Sequence, residues 1–148
     1  MSSNNKKNIT IGRGLVAGIA EGEALVSRES LVWSHGVDPT TGKIDDVRVS
    51  ICGECVKDKI LIYPIGKGST SGATWMLEAV RCGNGPKAII NNETELIIVA
   101  GAVLSQKLYG KNIPVIDRTD KDLTEEIKTG YIVRVDGVKG IVEVVKRV

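Results

Sequence analysis

The chain has 148 residues, 42% of them hydrophobic and only 3% aromatic, with a formal net charge of +2. This length suits one domain, and Val, Ile, Leu and Ala have to fill its core because Phe is absent. The near balance of 20 basic and 18 acidic residues argues against a nucleic-acid-binding protein. The apolar run at 96–104 is too short to span a bilayer, and residues 1–8 lack the apolar segment of a signal peptide. We therefore expect a cytoplasmic protein.

The first part of the chain predicts a leader followed by strands. Residues 1–8 are polar and predict a disordered leader, which leaves 9–148 as a single domain. Two glycine-punctuated segments within 9–27 favour strands, and a further strand is predicted at 59–65. Bends or bulges in the early strands are expected at Gly12, Gly14, Gly18 and Gly22.

The rest of the chain alternates helices with short strands. Residues 73–81 have helical spacing, with Thr70 or Ser71 as the cap and Gly83 as the end. The later predicted elements are a strand at 87–90, a helix at 93–109 opened by Glu93 and Glu95 and stopped by Gly110, a strand at 113–116, a short helical turn within 119–128, and a hairpin of 131–136 with 140–145 around Asp136-Gly137. Two main helices are too few for a doubly wound sheet. The order favours an α/β fold with a compact barrel-like sheet and flanking helices.

A loop rich in glycine and hydroxyl groups, GKGSTSG at Gly66–Gly72, lies between a predicted strand and a predicted helix. There, backbone N–H groups and the positive end of the helix dipole point at one spot, and Lys67 adds a charge. Ser69, Thr70 and Ser71 add three hydroxyls. The loop fits anion binding, a catalytic serine with a stabilised alkoxide, or an ordinary strand-to-helix turn. Its spacing matches neither a Walker nor a Rossmann loop.

Other polar positions are weaker candidates for chemistry. Arg13 has a guanidinium fork suited to a carboxylate or phosphate, although an exposed arginine on a strand bend fits equally well. His35 is the only histidine, which argues against a histidine-based metal site and against a serine–histidine–acid triad. Cys52 and Cys55 have C-x-x-C spacing, which suggests a redox pair or half a zinc site, but they lead into a strand. A full zinc site would need two more ligands, for which only Cys82 and His35 remain. A structural or incidental role is favoured, and an iron–sulfur cluster on all three cysteines would need convergent placement.

Four segments, taken in order, resemble the swivel domain of the aconitase X family. They are GRGLVAGIAEGEALVS, GVDPTTG, PIGKGSTSG and LYGKNIPVID, and they cover most of residues 9–118. Each alone is modest, whereas the ordered set is specific. The resemblance implies an aconitase-like swivelling β/β/α domain over 9–148. The family pattern does not use Cys52 or Cys55, which places that pair away from the chemistry.

The resemblance also implies a function. Free-standing chains of this length look like small subunits of archaeal-type dehydratases within the family. Such a hydro-lyase, active only as a heterodimer with its large subunit, would convert (R)-5-phosphomevalonate into trans-anhydromevalonate 5-phosphate on a mevalonate route to isoprenoids. Its [4Fe-4S] cluster would be held by the large subunit, and this chain would contribute no metal ligand.

The resemblance assigns roles within the glycine–hydroxyl loop. In aconitase-like enzymes the base is the first serine of a Gly-Ser-Ser-type loop on the swivel domain, which corresponds to Ser69. Related loops place an arginine for the substrate carboxylate where this chain has Ser71, so that contact would come from Arg13 or Lys67. The remaining substrate-binding candidates, at the start of the helix, are Gly68, Thr70, Ser71 and Gly72.

Three alternatives stay open at this stage. A different aconitase X dehydratase, such as a hydroxyproline dehydratase, acts on a substrate with a comparable carboxylate and hydroxyl, so the loop does not separate the two. A non-catalytic module would use the loop to bind an anion or to dock onto a partner enzyme. A C-x-x-C redox or metal protein is the third. The Ser69→Ala change separates a catalytic subunit from a non-catalytic module. Loss of a base lowers turnover, whereas loss of a binding contact lowers affinity and leaves turnover nearly intact.

Overall fold

The structure, a computed structural model, describes residues 8–66 and 71–148. In this part the strands are β1 (Ile9–Ile11), β2 (Arg13–Val16), β3 (Ile19–Val26), β4 (Ile60–Tyr63), β5 (Ala88–Asn91), β6 (Val115–Asp117), β7 (Ile132–Asp136) and β8 (Ile141–Lys146). The helices are α1 (Gly72–Arg81), α2 (Leu96–Tyr109) and α3 (Leu123–Glu126). The long segment 27–59 between β3 and β4 contains turns and isolated bridges.

The strands form one sheet that curls back on itself. Their spatial order is β1-β8-β7-β3-β4-β5-β6-β2. The two outermost strands, β1 and β2, are separated in the chain by Gly12 alone, so the two ends of the order meet. The sheet therefore curves until its two ends come together at Gly12, which agrees with the predicted barrel-like sheet.

Glycines make that closure possible. A Cβ atom on Gly14 would overlap the carbonyl oxygen of Gly137, and one on Gly137 would overlap the carbonyl oxygen of Val16. Gly12 donates its N–H to the carbonyl of Gly140 at 2.7 Å. Strand β2 therefore lies directly against the β7–β8 turn, backbone to backbone, and there is no room between them for a side chain.

Half of the sheet is parallel. β3, β4, β5 and β6 run side by side in the same direction, and β2 pairs antiparallel with β6. The carboxyl ends of four strands and the start of β2 therefore lie at one edge. In open α/β sheets this edge is where ligands bind, and the glycine–hydroxyl loop leaves it after β4.

Residues of β4 alternate between two cores. Leu61 and Tyr63 belong to a cluster with helix residues such as Met76 and Ile98. Ile60 and Ile62 belong to a second cluster with residues of β7, β8 and α3. A strand buried on both faces reads as a continuous apolar run, which is why 59–65 was identifiable as a strand without alternation.

Most predicted elements are confirmed, and three details differ. α2 begins at Leu96 and not at Glu93, because residues 92–95 form a turn whose N–H groups bind elsewhere: Asn92 and Glu93 donate to the carbonyl of Pro64. Ser71 occupies the N-cap position of α1, but its side chain makes no capping hydrogen bond. The predicted bends appear at Gly12, Gly14 and Gly18, whereas Gly22 continues β3.

The predicted leader and the search for membrane-spanning helices both depend on which residues the structure describes. Of the predicted leader, residues 1–7 lie outside the described residues, and the carbonyl of Asn8 accepts a hydrogen bond from the Val144 amide at 2.8 Å. Within 8–66 and 71–148, no helix has both the length and the apolar character needed to cross a membrane.

The close approach at Gly14 predicts a large loss of stability on substitution. Gly14→Ala places a methyl group against the backbone of Gly137, which cannot move without separating β2 from the turn, so we expect a loss of at least about 3 kcal/mol or failure to fold. Gly72→Ala is the control, since the nearest atoms would lie 3.9 Å away, and it should change stability by less than about 0.5 kcal/mol. Urea titration measures both. Equal stability of the two variants would contradict this account of the closure.

Candidate functional site

The predicted site residues divide into those the structure describes and those it does not. Lys67, Gly68, Ser69 and Thr70 lie outside the described residues. Arg13, Ser71 and Gly72 are described, and all three lie at or beside the carboxyl edge of the parallel strands. The site is therefore built here from the residues that flank the loop.

Polar residues end three of the parallel strands. Tyr63 ends β4, Asn91 ends β5 and Asp117 ends β6, and all three are buried. The amide of Asn91 donates to the carbonyl of Tyr63 at 3.0 Å, and Thr94 Oγ1 donates to Asn91 Oδ1 at 3.0 Å. Buried polar groups persist when they are hydrogen-bonded, so this edge is a connected polar layer above an apolar core.

Asp117 is the centre of that layer. Its carboxylate accepts two hydrogen bonds from Arg13, from Nε and Nη2, each at 2.8 Å, and a third from the Thr94 amide at 2.9 Å. Burial on its own would raise the pKa of Asp117, but the bonds from Arg13 and Thr94 outweigh it and hold that pKa below its ordinary value. Asp117 thus stays ionised and fixes the start of β2, the end of β6 and the turn that precedes α2.

The main contact of the Arg13 guanidinium is with Asp117 of the same chain. Its fork, considered above for a substrate carboxylate, binds Asp117 in a bidentate manner. Glu93 also lies within 3.8 Å of Arg13 Nη2. The Arg13 side chain remains 42% exposed, so it borders the edge and is not sealed inside it.

A second bidentate pair borders the same edge. Arg118 donates through Nε and Nη2 to the two carboxylate oxygens of Glu93, at 3.0 and 2.8 Å. The hydrogen bond from Arg118 lowers the pKa of Glu93. Arg118 has φ +49°, a left-handed conformation that is uncommon for a residue with a side chain. Strained backbone of this kind clusters at functional sites.

Glu95 lies beside the entry of the loop. A Cβ atom on Gly66 would be 3.0 Å from Glu95 Oε1, so the carboxyl packs directly on the backbone at Gly66. Glu95 is the N-cap residue of α2, but its side chain makes no capping hydrogen bond. Burial raises the pKa of Glu95. A carboxyl with a raised pKa beside a candidate loop is one feature of residues that take part in acid–base chemistry.

The start of α1 is fixed by contacts from segment 27–59. The hydroxyl oxygens of Ser71 and Ser34 are 2.6 Å apart, and Gly72 lies against Trp33 and Ile97. His35 stacks at a tilt on Trp75, with ring centroids 4.6 Å apart. These contacts set the direction in which the first turn of α1 faces, and the loop has to enter the helix from that point.

Tyr63 stabilises the position of Trp33, which packs against the start of α1. It is fully buried, and Trp33 Nε1 donates to its hydroxyl at 3.3 Å. Burial raises the pKa of Tyr63 to about 12, so its hydroxyl stays neutral at any physiological pH. Its role is therefore to hold Trp33, and through Trp33 the start of α1.

The cysteines do not form a ligand set. Cys52 and Cys82 are exposed, and the half-buried Cys55 thiol donates to the carbonyl of Thr41 at 3.3 Å. Among the described residues no group of three or more His, Cys, Asp or Glu side chains is placed to hold a metal ion. The side chains present in 8–66 and 71–148 therefore do not fit an iron–sulfur cluster.

Sequence reasoning missed Asp117, Glu95 and the Glu93–Arg118 pair as parts of this edge. The sequence predicts Glu93 and Glu95 to open a helix, and no sequence prediction covers Asp117. A usable signal was present, because Tyr63, Asn91 and Asp117 each end a short apolar run. Polar residues that end neighbouring parallel strands meet at one edge, but the pairing of those strands has to be known first.

Replacing Asp117 should weaken the fold in a pH-dependent way. Asp117→Asn removes the charge that Arg13 needs, and we expect a loss of about 2–3 kcal/mol at pH 7. The folded pKa of Asp117 lies below the unfolded value of about 3.9, so its stabilisation is present above that pH and is lost as the pH falls through the folded pKa. The stability gap between wild type and variant should therefore narrow below about pH 4.

Urea titrations from pH 3 to 7 measure that gap. Glu23→Gln is the control, since Glu23 forms an exposed pair with Lys59 at 3.3 Å and should contribute under about 0.5 kcal/mol. A gap between wild type and Asp117→Asn that is constant over this pH range would show that the carboxylate charge of Asp117 is not what stabilises the edge.

Glu95 should have the opposite effect. Its folded pKa lies above the unfolded value of about 4.3, so the native state loses stability as the pH rises through the folded pKa. Glu95→Gln should therefore be slightly more stable than wild type at pH 7 and equal to it near pH 4. Thermal melts at both pH values test this, with exposed Glu54→Gln as the control. A variant less stable than wild type at pH 7 would mean that the Glu95 carboxylate has a favourable partner.

Comparison with known proteins gives a consistent family. The model of the aconitase X swivel domain matches residues 9–144. The phosphomevalonate dehydratase small subunit of Pyrococcus furiosus is 44% identical over 134 residues, which are 90% of this chain and 93% of that protein. Its counterpart in Methanosarcina acetivorans is 40% identical over 135 residues, 91% of this chain and 90% of that protein.

Two solved structures share the fold. The crystal structure of Thermococcus kodakaraensis aconitase X in its holo-form has a TM-score of 0.84 and 40% identity, over 93% of this chain and 98% of that chain. A UPF0107 protein solved by NMR in solution has a TM-score of 0.83 and 38% identity, over 93% of this chain and 99% of that chain. These matches cover nearly all of each matched chain, in agreement with the resemblance seen in the sequence. The chain therefore belongs to the aconitase X swivel-domain family.

Proposed function

We propose that this chain is the small subunit of a phosphomevalonate dehydratase, which converts (R)-5-phosphomevalonate into trans-anhydromevalonate 5-phosphate. The observation that carries the proposal is the near full-length match, at 40–44% identity, to several archaeal relatives that bear this name. The carboxyl edge of the parallel strands supports it, because this edge presents a loop and a helix start where an anionic substrate binds favourably.

In this proposal Ser69 is the base. The reaction removes a proton from the carbon next to the substrate carboxylate, and the hydroxyl on the neighbouring carbon leaves with its bonding electrons. The electrons of the broken C–H bond form the new double bond, and the proton and hydroxide together account for the water released. Ser69 would accept the proton at its Oγ, in alkoxide form, which the adjacent helix dipole and Lys67 stabilise.

The flanking residues would give the base a suitable environment. Glu95 packs on Gly66 at the loop entry, and burial raises its pKa. The Arg13–Asp117 and Arg118–Glu93 pairs balance their own charges at this edge. Lys67 would add a positive charge that favours an anionic substrate.

The proposed substrate contacts also depend on positive charge and on N–H groups. Gly68, Thr70, Ser71 and Gly72 would hold an anionic group of the substrate at the start of α1, where N–H groups point outward. Arg13 would act through its charge, since two of its guanidinium nitrogens already bind Asp117. The phosphate of the substrate would be bound by the partner.

The proposal requires a larger partner. The cluster chemistry of the family would be supplied by a [4Fe-4S] group held on the large subunit, because the cysteines described here are dispersed. The small subunit would be active only in the heterodimer, with its carboxyl edge facing the cluster site. A phosphorylated substrate does not cross membranes unaided, so we expect the complex to act in the cytoplasm.

The Ser69→Ala variant tests the mechanism. Co-expressed with the large subunit and reconstituted without oxygen, it should lose about two to four powers of ten in turnover of 5-phosphomevalonate while assembling normally. Ser50→Ala changes an exposed serine outside the glycine–hydroxyl loop; it is the matched control and should retain full turnover.

Each outcome distinguishes one hypothesis from another. Turnover of a different hydroxy acid, such as a hydroxyproline, with none of 5-phosphomevalonate would keep the family role and overturn the substrate. A Ser69→Ala variant with normal turnover and weaker substrate binding would replace catalysis with anion binding. A wild-type chain that forms no complex with the large subunit would refute the two-subunit enzyme.

A further inference from the structure

The helix α2 is apolar around most of its circumference. Its first nine residues, Leu96 to Leu104, carry no charge and no polar side chain. A helix with one face in a core and another in water shows a polar face, whereas a helix that is apolar on all sides is buried on all sides. The sequence of α2 is therefore that of a helix with two apolar neighbours.

Among residues 8–66 and 71–148, α2 has one of those neighbours. Its inner face, which includes Ile98, Gly101, Ala102 and Ser105, is buried against α1 and the sheet. A Cβ atom on Gly101 would lie only 2.9 Å from Met76 Sδ, so the two helices are in close contact along this line. The inner face is fully used, and the opposite face is exposed.

That exposed face is a continuous apolar stripe. Helical spacing places its residues, 96, 100, 103, 104 and 108, within one side of the helix. We call them the α2 outer face: Leu96, Ala100, Val103, Leu104 and Leu108. Leu96 is 84% exposed and Leu108 is 61% exposed, with Val103 at 40% and Leu104 at 39%. Contiguous exposed patches of large apolar residues mark interaction sites.

The α2 outer face is continuous with the candidate site. Leu96 follows Glu95, which packs on Gly66 where the glycine–hydroxyl loop begins. Ile65, the residue before Gly66, is itself 41% exposed. Exposed apolar residues are therefore present beside the loop entry and along α2 as far as Leu108, and the exposed Lys107 and Lys111 lie near that far end in sequence. An apolar centre with a polar rim is the usual composition of a specific protein interface.

We infer that the α2 outer face, together with Ile65, is the surface on which the large subunit docks. The inference rests on the proposed function, because only a partner that completes the site from outside has to lie over the loop. Such a partner approaches the carboxyl edge, and the exposed end of α2 is part of that edge. Covering Leu96 and Ile65 therefore brings the partner's surface to the loop and excludes water from it.

A second copy of this chain fits the same face less well. A symmetric dimer on the α2 outer face would place each Leu96 against the other copy and would cover the approach to both loops. The large subunit could then no longer reach them. A membrane surface is a poor occupant as well, since interfacial helices carry many Lys or Arg residues on the polar face and α2 has one basic residue, Lys107.

The test measures binding to the large subunit with charges placed on this face. Leu96→Glu/Leu104→Glu should weaken the affinity of the full chain for the purified large subunit at least about 100-fold, since both glutamates would be buried without partners. Val47→Glu is the matched control, because Val47 is 85% exposed but lies in segment 27–59, and it should change affinity less than about threefold. Circular dichroism melts of the free variants should match wild type.

The outcomes separate this inference from the proposed function. If the double variant binds as tightly as wild type, the docking surface is wrong even when the wild-type complex dehydrates 5-phosphomevalonate. If the double variant loses binding but the wild-type complex does not act on that substrate, the docking surface stands and the substrate assignment fails. If light scattering shows a wild-type dimer that the double variant converts to monomer, with binding to the large subunit intact, the face belongs to a second copy and the inference is overturned.

Discussion

The buried carboxylate of Asp117 is the constraint on which the rest of this site depends. It receives Arg13 from β2 and the Thr94 amide from the turn before α2, so one charge joins the strand that closes the barrel, the end of the parallel sheet and the start of a helix. A carboxylate with three good donors can remain ionised in a protein interior, and removing one partner leaves the other charge uncompensated. The edge is therefore ordered before any substrate or partner arrives, which is the condition for catalysis by positioning.

The pKa values of two carboxyl groups at this edge are shifted in opposite directions. Asp117 is surrounded by donors and its pKa is lowered, whereas Glu95 is desolvated against Gly66 and its pKa is raised. Pairs of titratable groups whose surroundings move their pKa values apart are a common basis for dividing structural and acid–base roles. Here the carboxylate with the lowered pKa joins Arg13 to the Thr94 turn, and the carboxyl with the raised pKa packs beside the loop entry.

In the proposed complex, helix α2 would connect the fold to the large subunit. Its inner face packs on α1 through Gly101 and Met76, and its outer face is exposed and begins beside the loop entry. The free energy gained by burying this apolar outer face would favour the proposed complex.

The sequence by itself determined the elements, the closed α/β sheet and the family, because apolar periodicity, glycine positions and an ordered set of motifs are local in the chain. It also placed the loop between β4 and α1, since a strand signal, a run of small residues and a helix signal follow one another there. Only the tertiary structure decided that Arg13 binds Asp117, residues 104 positions apart, and that Glu95 packs on Gly66. It also turned Leu96 outward, although its sequence context is that of a buried helix. Such contacts depend on which strands pair and which helix face meets the sheet, and that information is distributed over the whole chain and not contained in any one segment.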